Sequence, residues 1–253
     1  QMNHQAPIEP ENCAVDIKGD GDDTELTVYG RSIQIHPHAA QLSEAVGCKV
    51  RYIEPFVGGQ FGIKATISSE GLAAAAAVHF HRPVRYQPSL EESFWLASKR
   101  HPFDMITKLT ANKDGIITGY YNYFTLNKGA YFLLGFIMPT RALHMLNGAY
   151  KIDNIQAEAR LVYTNNGSGG AARGAGPPQV MFALESLVDM LAEKAGQDPL
   201  EFREKNLMKS GDLRSTGAPV DVFPFPPLFD AMKPHYERAK KEAAAFNKTS
   251  GKI

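Results

Sequence analysis

Two glycine-rich stretches hold the residues whose types and spacing could do chemistry. The first is Phe56-Val57-Gly58-Gly59-Gln60-Phe61-Gly62-Ile63-Lys64. The second is Gly167-Ser168-Gly169-Gly170-Ala171-Ala172-Arg173-Gly174-Ala175-Gly176-Pro177-Pro178-Gln179. Each follows a predicted strand and precedes a predicted helix. Glycines let a backbone approach a ligand closely and turn its N–H groups toward it. Phe61 among glycines is odd for a solvent turn, because an aromatic ring there needs something to pack on. Arg173 stands alone among small residues just before a helix N-terminus, and both features favour an anion such as phosphate. Either loop by itself reads equally as a tight turn. The first is neither a P-loop nor a G-x-G-x-x-G fingerprint. Two such loops in one domain point to a dinucleotide-like anion held by backbone donors.

Other reactive residue types read as structural. His36-Pro37-His38 and His79-Phe80-His81 are close pairs, but histidines two apart on a helix do not converge and no third ligand is evident. They read as solvated or structural. Ser68, Ser69 and Ser168 lack a G-x-S-x-G elbow. The acidic run at 19–23 reads as a solvated turn, since it lacks the spaced ligands and distal Glu of a calcium loop. Phe94 and Trp95 read as core or interface anchors, and Tyr120, Tyr121 and Tyr123 as sheet-face packing. Glu70, Glu185 and Glu193 fall in helical patterns and read as surface or capping carboxylates. Cys13 and Cys48 read as small, buried, inert thiols.

The elements that must position the loops follow from periodicity. Strands are predicted over 13–18, 25–34, 49–54 and 155–163, with a hairpin over 105–124 turning at the Asn-Lys-Asp-Gly of 112–115. Helices are predicted over 69–81 (alanine-rich), from a Ser89/Glu92 capping box to about 97, over 179–195 stopping at Gly196, and from an Asp198 cap to about 208. Residues 210–227 read as a loop rich in Pro, Gly and Ser. An amphipathic helix from Phe229 follows, with a kink expected at Pro234 and fraying over the last five residues. The fold class expected is α+β: mixed, largely antiparallel sheets with flanking helices, open to two interleaved lobes.

Composition narrows the function classes. The 253 residues carry 27 Lys+Arg against 27 Asp+Glu, so no net charge attracts nucleic acid or an anionic membrane. No apolar stretch is long enough to span a bilayer, and no signal peptide is expected. Two cysteines cannot ligate an iron–sulfur cluster and form no disulfide framework, which suits a cytoplasmic location.

The run VGGQFGIK, followed some distance on by AARGAGPPQ, resembles the paired motifs of the xanthine oxidase/aldehyde oxidoreductase family of molybdenum hydroxylases. APIEPENC at 6–13, KLTANKDGIITG, GAYKIDNI and ALESLVDMLAEKAGQDPLEFREKNLMKSGD agree, so the resemblance covers nearly the whole chain. SIQIH and the C-terminal TGAPVDVFPFPPLFDAMKPHY lean toward bacterial aldehyde oxidoreductases. The resemblance implies a molybdopterin-binding domain over 1–209, then a loop and helix over 210–253 leading to a second domain. It implies cofactor contacts from Gly58, Gly59, Gln60, Phe61 and Gly62, with Phe61 and Gly62 beside the molybdenum. Ala171, Ala172, Arg173 and Gly174 would line the pterin.

Arg141 falls where some relatives place a substrate-binding arginine; a surface salt bridge is an equal alternative. Ala65 stands where purine-oxidising relatives carry Glu, and Ala172 and Ala175 stand where the family often has aromatics. These departures imply a differently shaped pocket and argue against xanthine. The Gln that relatives place beside the metal falls near Ile33 or Gln34. The family's catalytic base, a Glu in a G-x-G-E segment, does not occur here. The expected cofactor is molybdopterin, in its cytosine dinucleotide form, with molybdenum bound by no side chain of this chain. Iron–sulfur clusters and FAD would sit on other domains or subunits. The expected partners are the remainder of the molybdenum-binding region, an iron–sulfur domain and an aldehyde or small heterocycle, with no nucleic acid or membrane. The alternatives are a non-catalytic binding or assembly module that keeps the fold, and an anion-binding module for an unrelated dinucleotide.

Overall fold

A computed structural model describes residues 2–131 and 133–250. The chain forms two compact units, each gathered from three separate segments. The first comprises Gln1–Asp104, Phe124–Ala142 and Ala159–Pro178, and the second Met105–Tyr123, Leu143–Glu158 and Gln179–Ile253. The architecture is α+β, as expected.

In the first unit, β1 (Cys13–Lys18), β2 (Glu25–Tyr29), β3 (Lys49–Ile53) and β4 (Val84–Tyr86) form a sheet in the order β3-β2-β1-β4. β1 runs antiparallel to β2 and β4, while β2 and β3 are parallel. The acidic run forms the turn between β1 and β2. A parallel step needs a crossover element, and α1 (Ile35–Val46) supplies it. This corrects the strand expected to continue to 34, with no helix after it. The Ser32 hydroxyl accepts the Gln34 N–H at 2.8 Å and meets His38 Nδ1 at 2.7 Å, which turns the chain out of the sheet. Pro37 sits in the first helical turn, where its missing N–H is not needed. His38 is accordingly buried and structural.

Cys13, Val15, Leu26 and Val28 alternate onto one face of this sheet and pack with Leu42 and with Ala73, Ala74 and Ala77 of α2 (Ser69–Phe80). The small alanine face lets α2 lie close against the sheet, and His81 ends it in a left-handed conformation. Burial pushes the Cys13 thiol up to about 11, so it is inert at neutral pH. Of the surface and capping readings of Glu70, the structure removes the surface one and leaves the capping one. Glu70 is buried, accepting from Tyr52 Oη at 2.9 Å and from the Ser68 N–H at 3.2 Å. The Ser89/Glu92 capping box opens α3 (Leu90–Leu96) as expected. Trp95, however, is 78% exposed, which removes the core reading and leaves surface anchoring. Only Ser93 of this short helix is buried, and its hydroxyl donates to Glu11 at 2.6 Å.

After β5 (Lys99–Arg100), the strands β6 (Phe103–Ala111), β7 (Ile117–Gly129) and β8 (Ile155–Tyr163) make a three-stranded sheet in the order β6-β7-β8. At the hairpin tip Asn112 Oδ1 accepts from Asp114 N and Ile116 N at 3.0 and 2.9 Å, and Gly115 takes φ +80°. A short helix α4 (Met138–Leu143) follows β7, and β9 (Gly169–Gly170) pairs in parallel with β5.

The second unit is built on α5 (Pro177–Lys194), α6 (Pro199–Lys205) and α7 (Phe225–Ser250). Val180, Leu184, Val188 and Ala192 are the buried stripe of α5, and Gly196 follows it at φ +63°. Glu185 is a network acceptor, taking the Tyr150 hydroxyl and the Arg203 guanidinium, each at 2.9 Å. α7 starts four residues earlier than expected, with Pro226 and Pro227 in its first turn, and continues through Pro234. The fraying expected at the C-terminus falls partly on residues 251–253, which lie outside the described residues. Among the described residues no helix is long and apolar enough to cross a membrane, and no three His, Cys, Asp or Glu side chains cluster as a metal site.

Candidate functional site

The two glycine-rich loops meet. The Arg173 N–H donates to the Phe61 carbonyl at 2.9 Å. A side chain on Gly62, which has φ +103°, would run into the Ala171 carbonyl. Glycine is therefore required at 62 for the approach of one backbone to the other. Phe61 itself is left-handed at φ +44°, as is Ala175 at +48°. Left-handed non-glycine residues are held only where their surroundings over-determine them, and they concentrate at ligand sites. The Phe61 ring is 41% exposed, and the Arg173 guanidinium lies 5.9 Å from its centre.

Each loop has its own supports. In the first, Gln60 Oε1 accepts the Gly62 N–H at 2.7 Å and the Gln60 carbonyl accepts the Ile63 N–H at 2.8 Å. Glu9 accepts the Gly58 N–H and the Lys64 ammonium, both at 2.8 Å, and Arg31 Nε at 2.9 Å. Desolvation opposes the charge on Glu9, but the Lys64 ammonium and the Gly58 amide outweigh it and hold the carboxyl at about 2. The second loop is held by Gln5, whose Nε2 donates to the Ala171 carbonyl at 2.6 Å. Arg100 holds it too, through Nη2 to the Arg173 carbonyl at 2.6 Å. Gly169 and Gly170 allow His101 and Ser98 to pack against the backbone where a Cβ would stand. Desolvation then drives the His101 imidazole down to about 4.

A cavity of about 270 Å³ opens here, lined by Asn3, His4, Gln5, Phe61, Arg100, Ala172 and Arg173. Two buried polar atoms of its lining, Arg100 Nη1 and Gln5 Oε1, have no hydrogen-bond partner among the described residues, nor does the nearby Ser98 Oγ. Buried polar atoms left unpaired are costly and mark places built for something more than the chain itself. The unpaired donor and the unpaired acceptor thus belong to two residues that line the cavity. Gln5 and Arg100 were invisible to sequence reasoning. The signal available was KRHP ahead of the hairpin, but nothing in spacing links it to residue 173.

The expected substrate residues are only partly gathered. Ala65 closes the first loop in a short 3₁₀ turn and lines a second cavity of about 260 Å³ with Gln34, His38, Leu134 and Phe136 among others. Gln34 Nε2 reaches the Ala65 carbonyl at 3.2 Å, so of Ile33 and Gln34 it is Gln34 that faces this space. Ala175 stays with the second loop, donating to the Ala172 carbonyl at 2.7 Å. Arg141 is exposed on α4, lines neither cavity and makes no ion pair among the described residues.

Known proteins match the chain over most of its length. The molybdopterin cofactor-binding domain family matches residues 1–207. The aldehyde oxidoreductase of Megalodesulfovibrio gigas is 37% identical over 96% of the chain. The xanthine dehydrogenase molybdenum-binding subunit of Escherichia coli is 32% identical over 89% of it. A solved aldehyde oxidoreductase from Desulfovibrio gigas superposes with a TM-score of 0.91, at 35% identity over 96% of the chain. The chain spans 27% of the first relative's length, 31% of the second's and 27% of the solved chain. With a match over residues 1–207 and most of its length in common with these relatives, the chain belongs to the molybdopterin cofactor-binding domain family, which aldehyde oxidoreductases and xanthine dehydrogenases contain.

Proposed function

We propose that this chain forms one wall of a molybdenum hydroxylase active site that oxidises an aldehyde or a small heterocycle with water as oxygen source. The observation that carries the reading is the junction of the two loops, the Arg173 N–H on the Phe61 carbonyl beside a cavity lined by Gln5 and Arg100, each of which holds an unpaired buried polar atom. The Arg173 guanidinium beside the Phe61 ring, with the polar side chains of Gln5 and Arg100 in the lining, fits a planar group with hydrogen-bonding edges and negative charge, as a pterin dithiolene is. When bound, the cofactor supplies two-electron oxidation at carbon, with water as the oxygen source.

The chain's own part is to bind and orient. Gly58, Gly59, Gln60, Phe61 and Gly62 form one side, with the Gly58 and Gly62 amides spent on Glu9 and Gln60 to hold the loop, and Ala171, Ala172, Arg173 and Gly174 line the pterin side. The Arg173 side chain offers positive charge, and the Phe61 ring excludes water from one wall. Arg141, Ala65 and Ala175 bear on substrate shape, and the small side chains at 65 and 175 favour a substrate other than a purine. The cytosine dinucleotide form of the cofactor belongs to this reading. So do the remainder of the molybdenum-binding region, iron–sulfur clusters and FAD on other domains or subunits, and a cytoplasmic setting. A non-catalytic assembly module is the rival.

The test is to co-express the chain with the remainder of its molybdenum-binding region and an iron–sulfur partner in a cofactor-competent host. Molybdenum and pterin are then assayed per polypeptide, and aldehyde-dependent dye reduction is measured. Near-stoichiometric metal and pterin with turnover are expected. An assembly that matures without molybdenum would overturn the enzyme reading in favour of the rival.

A further inference from the structure

We propose that Glu9 is a positioning residue for the first glycine-rich loop and, through it, for the Phe61–Gly62 end of the cofactor site. This rests on the reading of that loop as a cofactor wall. Glu9 lies 49 positions before Gly58, yet it takes up both backbone groups of that glycine. Its N–H donates to the Gly58 carbonyl at 3.2 Å, and its Oε2 accepts the Gly58 N–H at 2.8 Å. The same oxygen accepts the Lys64 ammonium at 2.8 Å. One carboxylate oxygen therefore pins both ends of the loop 58–64 and fixes its span. A Cβ on Gly58 would collide with the Glu9 side chain, so a glycine is needed for this contact. Arg31 Nε holds the second oxygen at 2.9 Å, which sets the carboxylate's own orientation.

Between the pinned ends lie three left-handed residues, Gly59, Phe61 and Gly62. For Phe61 that conformation persists only under external constraint, and two anchors on one oxygen supply it. Lys64 is almost wholly buried, with a side chain 1% exposed, so its charge needs Glu9. The carboxyl is held at about 2, so the anchors stay engaged at any physiological pH. A purely structural ion pair could be replaced by apolar side chains at little cost to stability. A positioning role could not, because the acceptor for the Gly58 N–H would be gone.

The experiment compares wild type, Glu9→Gln, Glu9→Ala and the paired Glu9→Leu/Lys64→Met change. Each variant is made in the chain co-expressed with the remainder of its molybdenum-binding region. Pterin per polypeptide, thermal midpoint and amide hydrogen exchange over 58–64 are measured on each. The paired variant, which leaves Arg31 without its carboxylate, is expected to melt below wild type but above Glu9→Ala, yet to exchange at Gly58 and Gly62 about tenfold faster than wild type, the factor that goes with one lost hydrogen bond. It should also lose most of its pterin. Glu9→Gln, which keeps an oxygen acceptor for the Gly58 N–H but not the charge that Lys64 needs, should recover the exchange protection at Gly58 that Glu9→Ala loses without recovering its melting point in full. Unchanged exchange in the paired variant, or pterin loss that merely tracks the melting point across the series, overturns the proposal. Wild type without pterin instead sinks the cofactor reading, and the exchange comparison still decides whether Glu9 sets the loop.

Discussion

Gly62 is the position where residue type matters most directly to the site. Its φ of +103° and its approach to the Ala171 carbonyl both exclude a side chain. Gly62→Ala should therefore part the loops and cost about 3 kcal/mol or more, from backbone strain together with overpacking. Gly167, with open space where its Cβ would point, is the control: Gly167→Ala should be neutral or stabilise by about 0.5 kcal/mol. Urea-unfolding midpoints of the two variants check this, and equal shifts would mean that the loop junction is not tight. Gly62, Phe61 and Arg173 were legible because their types are improbable in an ordinary turn. Glu9, Gln5 and Arg100 were not, because their roles arise from contacts across as many as 166 positions, and no local pattern encodes such a meeting.

At the scale of elements, legibility followed local hydrogen-bond chemistry. The hairpin tip at Asn112–Gly115 and the Ser89/Glu92 box were readable because the residues that turn or cap the chain are its own near neighbours. What misled was proline. Pro37, the Pro177-Pro178 pair and the Pro226-Pro227 pair all sit in first helical turns, where no N–H is required, yet they resemble loop residues in a one-dimensional reading. Pro199 was readable because Asp198 precedes it as an N-cap, accepting from Leu200 N at 2.9 Å. That carboxylate also receives Lys240 Nζ at 2.7 Å and Tyr236 Oη at 3.0 Å, so the cap of α6 is the dock of α7.

Chiefly the Lys240 ammonium lowers the Asp198 carboxyl, from 3.8 to about 2, with the Leu200 amide and Tyr236 adding to it. A depressed carboxyl contributes stability above its unfolded value and loses it as pH falls through its folded value. Asp198→Ala should therefore reduce stability at neutral pH, by about 1 kcal/mol from the cap alone, and lower the melting point accordingly. The gap to wild type should narrow as pH drops from about 4 to about 2. Melting curves across that range check the sign, and a gap independent of pH would contradict the charged-cap account.

For the whole molecule the proposed role as one wall of an active site turns on the chemistry its own residues lack. The cavity beside Phe61 and Arg173 has no carboxylate among its lining residues. Glu9, which anchors the first loop, has both oxygens engaged and stays ionised, held by cations too tightly to act as a proton acceptor near neutrality. His4 is the one lining residue of basic type near pH 7. Its Nδ1 accepts the Ala6 N–H at 2.9 Å, which leaves Nε2 to carry the proton toward the Ser93 carbonyl at 3.1 Å. Desolvation lowers its imidazole further. Neither ring nitrogen is therefore available to take a proton from a reacting water or substrate.

A positioned general base is worth about 10²–10⁴ in rate. The chain purified alone, even when supplied with the cofactor, should thus show aldehyde-dependent dye reduction at least about 100-fold below that of the complete assembly. Turnover by the isolated chain within a few-fold of the assembly would place the proton acceptor here after all. His4→Gln would then be the first substitution to make, since removal of a working base has to abolish that activity.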